Sequence, residues 1–334
     1  MTELVAQSRK DLIWEYKKLI RNDSHLGVSL TGDINDYSNS EISAILDSAW
    51  IMKKSIILMQ ILGYLPNPEC VIPIFGTLTP TNALLRLQNE DVIAGDLNDL
   101  KPIVNTLNQL YLTSKKNSHL SCLITKNALT YDSLDVLLIT YKNELEMQLW
   151  VKKRKPHSKY LHLKSFKITD TNVANLGPKS KRGDNLTPEG FYSVDFYPAL
   201  KWSDYYLAFR IPYPNDADIA RRKYWGIEDK SGGDINIHGC CISIGCVPIG
   251  NPDMEELFLL IRANQKNGSV AHILIFPFKF HDRSAKENFF GQYRDDEHML
   301  DFWQSLEKIQ QYLLKFYQIP AVDLNPVTGY YEIN

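Results

Sequence analysis

"IHGCCISIGCVPI", residues 237–249, places one histidine and three cysteines within nine positions, and the reading of the whole chain turns on it. A structural zinc site usually takes its ligands from paired short spacings with a distant second pair. Here His238, Cys240, Cys241 and Cys246 lie in one run without a second pair elsewhere. As neighbours, Cys240 and Cys241 point to opposite sides of an extended segment, which suits a single ion poorly. A vicinal Cys240–Cys241 disulfide is strained, and a Cys241–Cys246 bridge fits the spacing but would block a nucleophile at Cys246. Catalysis makes a different demand. A thiol attacks as its thiolate, and a free cysteine is mostly protonated near neutrality. A histidine within reach can take that proton and return it to a leaving amine. "INIHG" reads as a strand ending at His238, with Gly239 releasing the chain into a loop. "SIGC" then brings Cys246 back through Gly245, a turn that can aim the Gly245 and Cys246 N–H groups at a developing oxyanion. On these residues alone a blander reading stands beside it, a loop with an incidental histidine and buried thiols.

Outward from this run the pattern is one of short strands. In "ELEMQLWVKK", Leu145, Met147, Leu149 and Val151 alternate with polar residues and Trp150, the period of a half-buried strand. "YLHLKSFKI" repeats the pattern after the turn "KKRKPHSK", and the two predict a hairpin. Further strands are expected in "GFYSVDFY", "YYLAFRI" and "VAHILIFPF". Two helices interrupt them. One is expected to start at Asn251 as N-cap with Pro252 as its first residue, to carry Met254, Leu257, Phe258 and Ile261 inward, and to close at Gly268. The other carries Leu300, Trp303, Leu306, Ile309, Leu313 and Phe316 on its core face and stops before Pro320.

Residues 1–139 read as mainly helical. Ser38 and Glu41 form a capping-box pair, followed by Ile42, Ile45, Leu46, Ala49, Met52, Ile56 and Met59 at helical spacing. A second helix is expected through "DLNDLKPIVNTLNQLYL", and a short extended segment in "ECVIPIFGTLTP". "KKSIILMQILGYL" imitates a signal sequence but lies inside the chain and is too short to span a bilayer. The amino terminus carries no apolar core of that kind, so the chain reads as soluble as written.

With 334 residues, 44% of them apolar, the usual prior is two domains with well-filled cores. A net charge of −2 argues against a nucleic-acid partner. Five cysteines, with Cys70 and Cys122 standing alone, are not a disulfide framework.

The segment "IHGCCISIGCVPI" resembles the active-site stretch of the L,D-transpeptidase (YkuD) superfamily, a histidine–glycine pair followed by S-x-G-C. Its short His-to-Cys interval is most similar to the branch of YafK-type murein amidase and transpeptidase-like proteins. "LGPKSKRGDNLTPEGFYSV", "YYLAFRIPYPN" and "VAHILIFPF" resemble further stretches of that branch, so the likeness runs from about residue 144 to 320. The resemblance implies an α+β fold: a helical region, 1–139, followed by a β-rich YkuD-like catalytic domain, 140–334, with flanking helices. It implies Cys246 as nucleophile, His238 as general base, and the Gly239 carbonyl orienting the imidazole. Ser243 would support the loop, and the Gly245 and Cys246 N–H groups would form the oxyanion hole.

The implied reaction is acyl transfer at a peptidoglycan stem peptide through a thioester. Amine capture gives a cross-link, and water gives an amidase or L,D-endopeptidase, with hydrolysis slightly favoured. No cofactor and no metal is implied, and the location would be periplasmic or otherwise exported. Arg210, Tyr213 and Asn215 are candidates for substrate contact; the alternatives are a surface arginine at a strand end and a turn built with Pro214. This chain has "VPIG" after the cysteine, where many members carry Arg or Met. Two readings of other classes remain: a binding module that keeps the fold without turnover, with residues 1–139 recognising a protein partner, and a cell-wall-degrading toxin. "KKRK" at 152–155 reads as a solvated hairpin tip, "RGD" at 182–184 as part of a family-like loop, and His272 as a core histidine.

Overall fold

The computed structural model describes residues 9–22, 32–61, 102–103, 106–107, 119–194 and 207–333. The extended segment expected in "ECVIPIFGTLTP", and most of the helix expected through "DLNDLKPIVNTLNQLYL", lie outside them. By Cα proximity the chain forms two compact units, residues 1–117 with 198–206, and residues 118–197 with 207–334.

In the first unit, helix α1 (Arg9–Asn22) and helix α2 (Asn39–Ile61) are described. The Arg9 guanidinium ties them, donating to the Tyr37 carbonyl at 3.1 Å and to Asn39 Oδ1 at 2.8 Å. The capping box forms as expected. The Ser38 N–H donates to Glu41 Oε2 at 2.7 Å, and the Glu41 N–H to Ser38 Oγ at 3.3 Å. Ile42, Leu46, Ala49, Ile56 and Met59 are buried.

The second unit opens with α3 (His119–Lys126) and strand β1 (Leu134–Tyr141), so the position 139/140 falls inside a strand. "LDVLLITY", residues 134–141, overlaps the end of the region expected to be mainly helical, 1–139. It is a central strand buried on both faces, which removes the alternation that marks a half-exposed one. β2 (Glu146–Lys153) and β3 (Leu161–Lys167) form the expected antiparallel hairpin. With β4 (Gly190–Val194) and β8 (Ala271–Phe276) they make a sheet of order β3-β2-β1-β8-β4, in which β1 and β8 run parallel. A second, three-stranded sheet has the order β5-β6-β7, from β5 (Ala208–Ile211), β6 (Ile235–His238) and β7 (Val247–Pro248). A C-terminal ribbon pairs β9 (Val322–Leu324) with β10 (Tyr331–Ile333).

The remaining described helices are α4 (Asp216–Tyr224), α5 (Asn251–Lys266), α6 (Arg283–Gln292) and α7 (Glu297–Phe316). α4 and α6 escaped the sequence reading because they are short and mostly polar. What starts them is capping, with the Asn215 side chain accepting the Asp218 N–H and Asp282 accepting the Ala285 N–H. α7 lays Phe302, Trp303, Leu306, Ile309 and Leu313 into a core shared with Leu137, Ile139 and Tyr141 of β1 and Leu274 and Phe276 of β8. Each such buried side chain contributes roughly 1.5–3 kcal/mol. Phe316, expected on that stripe, is exposed in the last turn, where Tyr317 closes the helix in a left-handed conformation. The helix after the motif also departs from expectation. Its N-cap is Gly250, and Asn251 is its first residue, with a side chain turned to the loop 239–246.

Lys142, just past β1, is fully buried, which is costly unless every donor is used. Its ammonium donates to the Gly177 carbonyl at 2.8 Å, the Thr187 carbonyl at 3.0 Å and Glu189 Oε1 at 2.8 Å. Trp303 Nε1 fills the other Glu189 oxygen at 2.8 Å. One buried cation thus pins residues 177–189 to the sheet and to α7.

Candidate active site

β6 and β7 run in parallel, with Ile237 opposite Val247 and His238 opposite Pro248. Extending that register back by one residue sets Cys246 beside Asn236. Asn236 and His238, two apart on a strand, present side chains to one face, and Cys246 joins them there. The contacts agree with the register, since the Asn236 N–H donates to Cys246 Sγ at 3.4 Å. The Cys246 thiol donates to the Asp234 carbonyl at 3.5 Å.

His238 is fully buried, and its Nδ1 is hydrogen-bonded to the Gly239 carbonyl. A carbonyl only accepts, so Nδ1 carries the proton and the neutral ring keeps its lone pair on Nε2. Burial drives the His238 pKa down from 6.5 to about 4, against the opposing pull of the Gly239 carbonyl and the charge of Asp170. Burial also pushes the Cys246 thiol up from 9.0 to about 11. The Asn236 hydrogen bond and the Lys179 charge oppose that rise, and Asp234 adds to it. At neutral pH the resting pair is therefore a thiol and a neutral imidazole.

Within the loop 239–246 the Ser243 side chain ties the backbone together. The Ser243 hydroxyl donates to the Cys246 carbonyl at 2.8 Å and accepts the Gly245 N–H at 3.0 Å. The Gly245 N–H, expected in the oxyanion hole, is therefore turned into the loop, because a buried hydroxyl two residues away claims it first. Gly245 has a φ of +128°, and a Cβ there would lie 2.9 Å from the Leu186 carbonyl oxygen, so only glycine fits. Cys240 is buried at a φ of +78°. Its N–H donates to Asn251 Oδ1 at 2.8 Å, and its carbonyl accepts from Thr169 Oγ1 at 3.0 Å and the Gly250 N–H at 3.2 Å. Cys246 is a free thiol, and Cys241 is disulfide-bonded. Cys240 is in no disulfide, so neither a Cys240–Cys241 nor a Cys241–Cys246 bridge forms.

The three candidates for substrate contact are placed differently. Arg210 lies on β5 opposite Asn236 and is half-buried. Tyr213 is buried, and its hydroxyl donates to the Lys179 carbonyl at 3.0 Å. Asn215 caps α4 and donates to the Phe191 carbonyl at 3.0 Å. The polar atoms of Tyr213 and Asn215 thus serve the fold around the cis Tyr213–Pro214 bond. Asp184 of the "RGD" run is likewise internal, taking Lys179 Nζ at 2.6 Å and the Ser180 and Lys181 N–H groups. Arg154 of "KKRK" donates to the Asn264 and Asn267 carbonyls at the end of α5, where a cation also suits the helix dipole. Among the described residues, no group of three or more His, Cys, Asp or Glu is placed to hold a metal ion. Likewise, no described helix is long and apolar enough to cross a membrane.

Several residues that support the site were invisible to sequence spacing, namely Thr169, Asp170, Asn236 and Leu186. The loop 239–246 is local in sequence, while most of its partners come from segments far from it.

In this α+β domain, a loop between parallel strands brings a cysteine to the face of a histidine. The family model for the YkuD L,D-transpeptidase catalytic domain matches residues 143–270. The chain is 32% identical over 200 residues to YafK of Escherichia coli (strain K12), assigned as an L,D-transpeptidase, and the match covers 60% of this chain and 74% of that protein. The same figures hold for YafK of Escherichia coli O157:H7. The chain belongs to the L,D-transpeptidase family. A looser likeness links it to the helical cell shape determining protein Pgp2 from Campylobacter jejuni. That match has 17% identity over 62% of this chain and 81% of that one, with a TM-score of 0.32, too low to bear on fold or function.

Proposed function

We propose that the chain is a cysteine-dependent enzyme that cleaves or transfers an acyl group of a peptidoglycan stem peptide through a thioester on Cys246. One observation carries this reading. Cys246 shares a face with His238, whose Nδ1 proton is fixed on the Gly239 carbonyl so that Nε2 can accept. As the sulfur attacks the peptide carbonyl, its proton passes to Nε2 and a C–S bond forms. Negative charge then gathers on the carbonyl oxygen, for which the Cys246 N–H is the remaining donor of the expected pair. The C–N bond breaks as the imidazolium returns the proton to the leaving amine. Water then hydrolyses the thioester, or an amine captures it. Hydrolysis is slightly favoured on family grounds, and the place of action would be the cell envelope.

Because the resting pair is neutral, His238 acts as a base during attack and not as the partner of a standing thiolate. The test is incubation with muropeptides, read by mass spectrometry. Shortened stems mark hydrolysis and new dimers mark cross-linking. Cys246→Ala and His238→Ala are each expected to abolish product with the fold retained. Undiminished product from Cys246→Ala would refute the mechanism. A folded wild-type protein that yields no product, and no acyl adduct with a carbapenem, would favour the binding module.

A further inference from the structure

The nucleophile loop is gripped from outside by one short segment, Thr169–Asn172, which follows β3. The Thr169 N–H donates to the Pro248 carbonyl at 3.0 Å, and Thr169 Oγ1 donates to the Cys240 carbonyl. These two bonds clamp both ends of the loop. Between them stands Asp170, 9% exposed. Its Oδ1 accepts the Asn172 N–H at 2.8 Å, which caps a single 3-10 turn, and its Oδ2 accepts the Ser243 N–H. Ser243 in turn holds the Cys246 carbonyl and the Gly245 N–H. The line from Asp170 to the nucleophile therefore passes through one residue.

Asp170 commits each carboxylate oxygen to one backbone N–H, Asn172 on Oδ1 and Ser243 on Oδ2, which a neutral amide with a single oxygen could not do. The charge has a second addressee. Of the groups facing the reacting pair, Lys179 from the 177–189 segment is already paired with Asp184, and Asp234 at the start of β6 acts on Cys246. Arg210 on β5 stands across from Asn236. Asp170 is bound through Ser243 to the loop that leaves His238, and its charge opposes the fall of the His238 pKa. The imidazole is buried and must carry a positive charge once it has taken the thiol proton. In a low-dielectric setting a fixed negative charge nearby stabilises that state.

We propose that Asp170 is a positioning residue for the reaction. It fixes the nucleophile loop through the Ser243 N–H and supplies the charge that supports the His238 imidazolium. The proposal rests on the function proposed above, and its test separates the two.

The experiment compares wild type, Asp170→Asn and Ser243→Ala. It reads the acid limb of kcat/KM on muropeptides, and the His238 titration by NMR of a ring-labelled protein. Asp170→Asn removes the charge and leaves one acceptor oxygen where two N–H groups were served. It is expected to move the His238 titration and the acid limb to lower pH and to lower kcat about tenfold, with KM within about twofold. Ser243→Ala removes the hydroxyl contacts without touching charge; it is expected to slow turnover and leave the titration in place. An unmoved titration in Asp170→Asn overturns the proposal, whatever the rate does. Should the wild type show no turnover, the function fails, while the NMR titration still decides whether Asp170 acts on His238. If Asp170→Asn does not fold, Asp170→Glu is read instead. It keeps the charge but crowds Ser243, so a wild-type titration with slower turnover is expected. A shifted titration with wild-type turnover overturns the proposal.

Discussion

Cys246 is expected to behave as an unusually poor free nucleophile for a cysteine proposed to attack a peptide carbonyl. The perturbation is pH, applied to the resting protein in the presence of iodoacetamide. Burial raises the thiol from 9.0 to about 11, and His238 stays neutral down to about pH 4. Two pH units amount to about a hundredfold less thiolate at any pH well below the midpoint. The rate of Cys246 labelling should then rise about tenfold per pH unit from about pH 5 to 9, without levelling. Intact-protein and peptide mass spectrometry follow it, with the exposed thiol of Cys122 labelled in the same sample as an internal reference. Because Cys246 is only 4% exposed, the absolute rate mixes access with ionisation, and the shape of the pH curve is the quantity to read. His238→Ala should leave that shape unchanged. A plateau with a midpoint at or below pH 7 would mean a standing thiolate–imidazolium pair. So would a His238→Ala variant that lost a low-pH plateau, and either would refute the reasoning.

Acid should weaken the fold through His238. Its folded pKa of about 4 lies below 6.5, so the unfolded chain binds the extra proton between those values and stability falls as pH falls through that window. The loss is about 3 kcal/mol once pH is below 4. Between pH 7 and pH 4, urea melts of wild type should lose about 3 kcal/mol more stability than those of His238→Gln, and equal losses would count against it. Gly245→Ala forces a Cβ against the Leu186 carbonyl at a positive φ, so it should cost roughly 1–3 kcal/mol and abolish turnover. A wild-type melting temperature would contradict this. Lys142→Met strands the buried Glu189 charge and should destabilise by about 3–5 kcal/mol. Adding Glu189→Gln should recover much of it, and a strictly additive double variant would show that the two residues are not coupled.

The parts of this architecture legible in the sequence are those whose cause is local. The hairpin of β2 and β3 was visible because Met147, Leu149 and Val151 alternate on a half-exposed surface. The placement of His238 at a strand end and Cys246 at the return of a loop followed from the glycines beside them. β1 was not legible, because a strand buried on both faces has no alternation to read. Asn251 was misjudged for a related reason. A good N-cap residue next to a proline looks like a cap, but the Cys240 N–H, eleven residues back, claims its side chain and Gly250 takes the cap. The Gly245 N–H was lost to Ser243 in the same way. Propensity describes what a residue can do alone, and a crowded loop decides which of its offers is taken. The clamp from Thr169 and Asp170 belongs to a third kind, contact between segments some 70 residues apart.

β6 and β7 are parallel neighbours joined by residues 239–246 alone. Parallel strands ordinarily need a dozen or more residues to return to the same end of a sheet. This link is a taut cord: its length is set by the distance it must cover, and nearly every knot in it is tied to something. The interval between histidine and cysteine is then a mechanical dimension of the fold as much as a sequence motif. One residue more would let Cys246 slip to the far face of the sheet, away from His238, without altering either side chain.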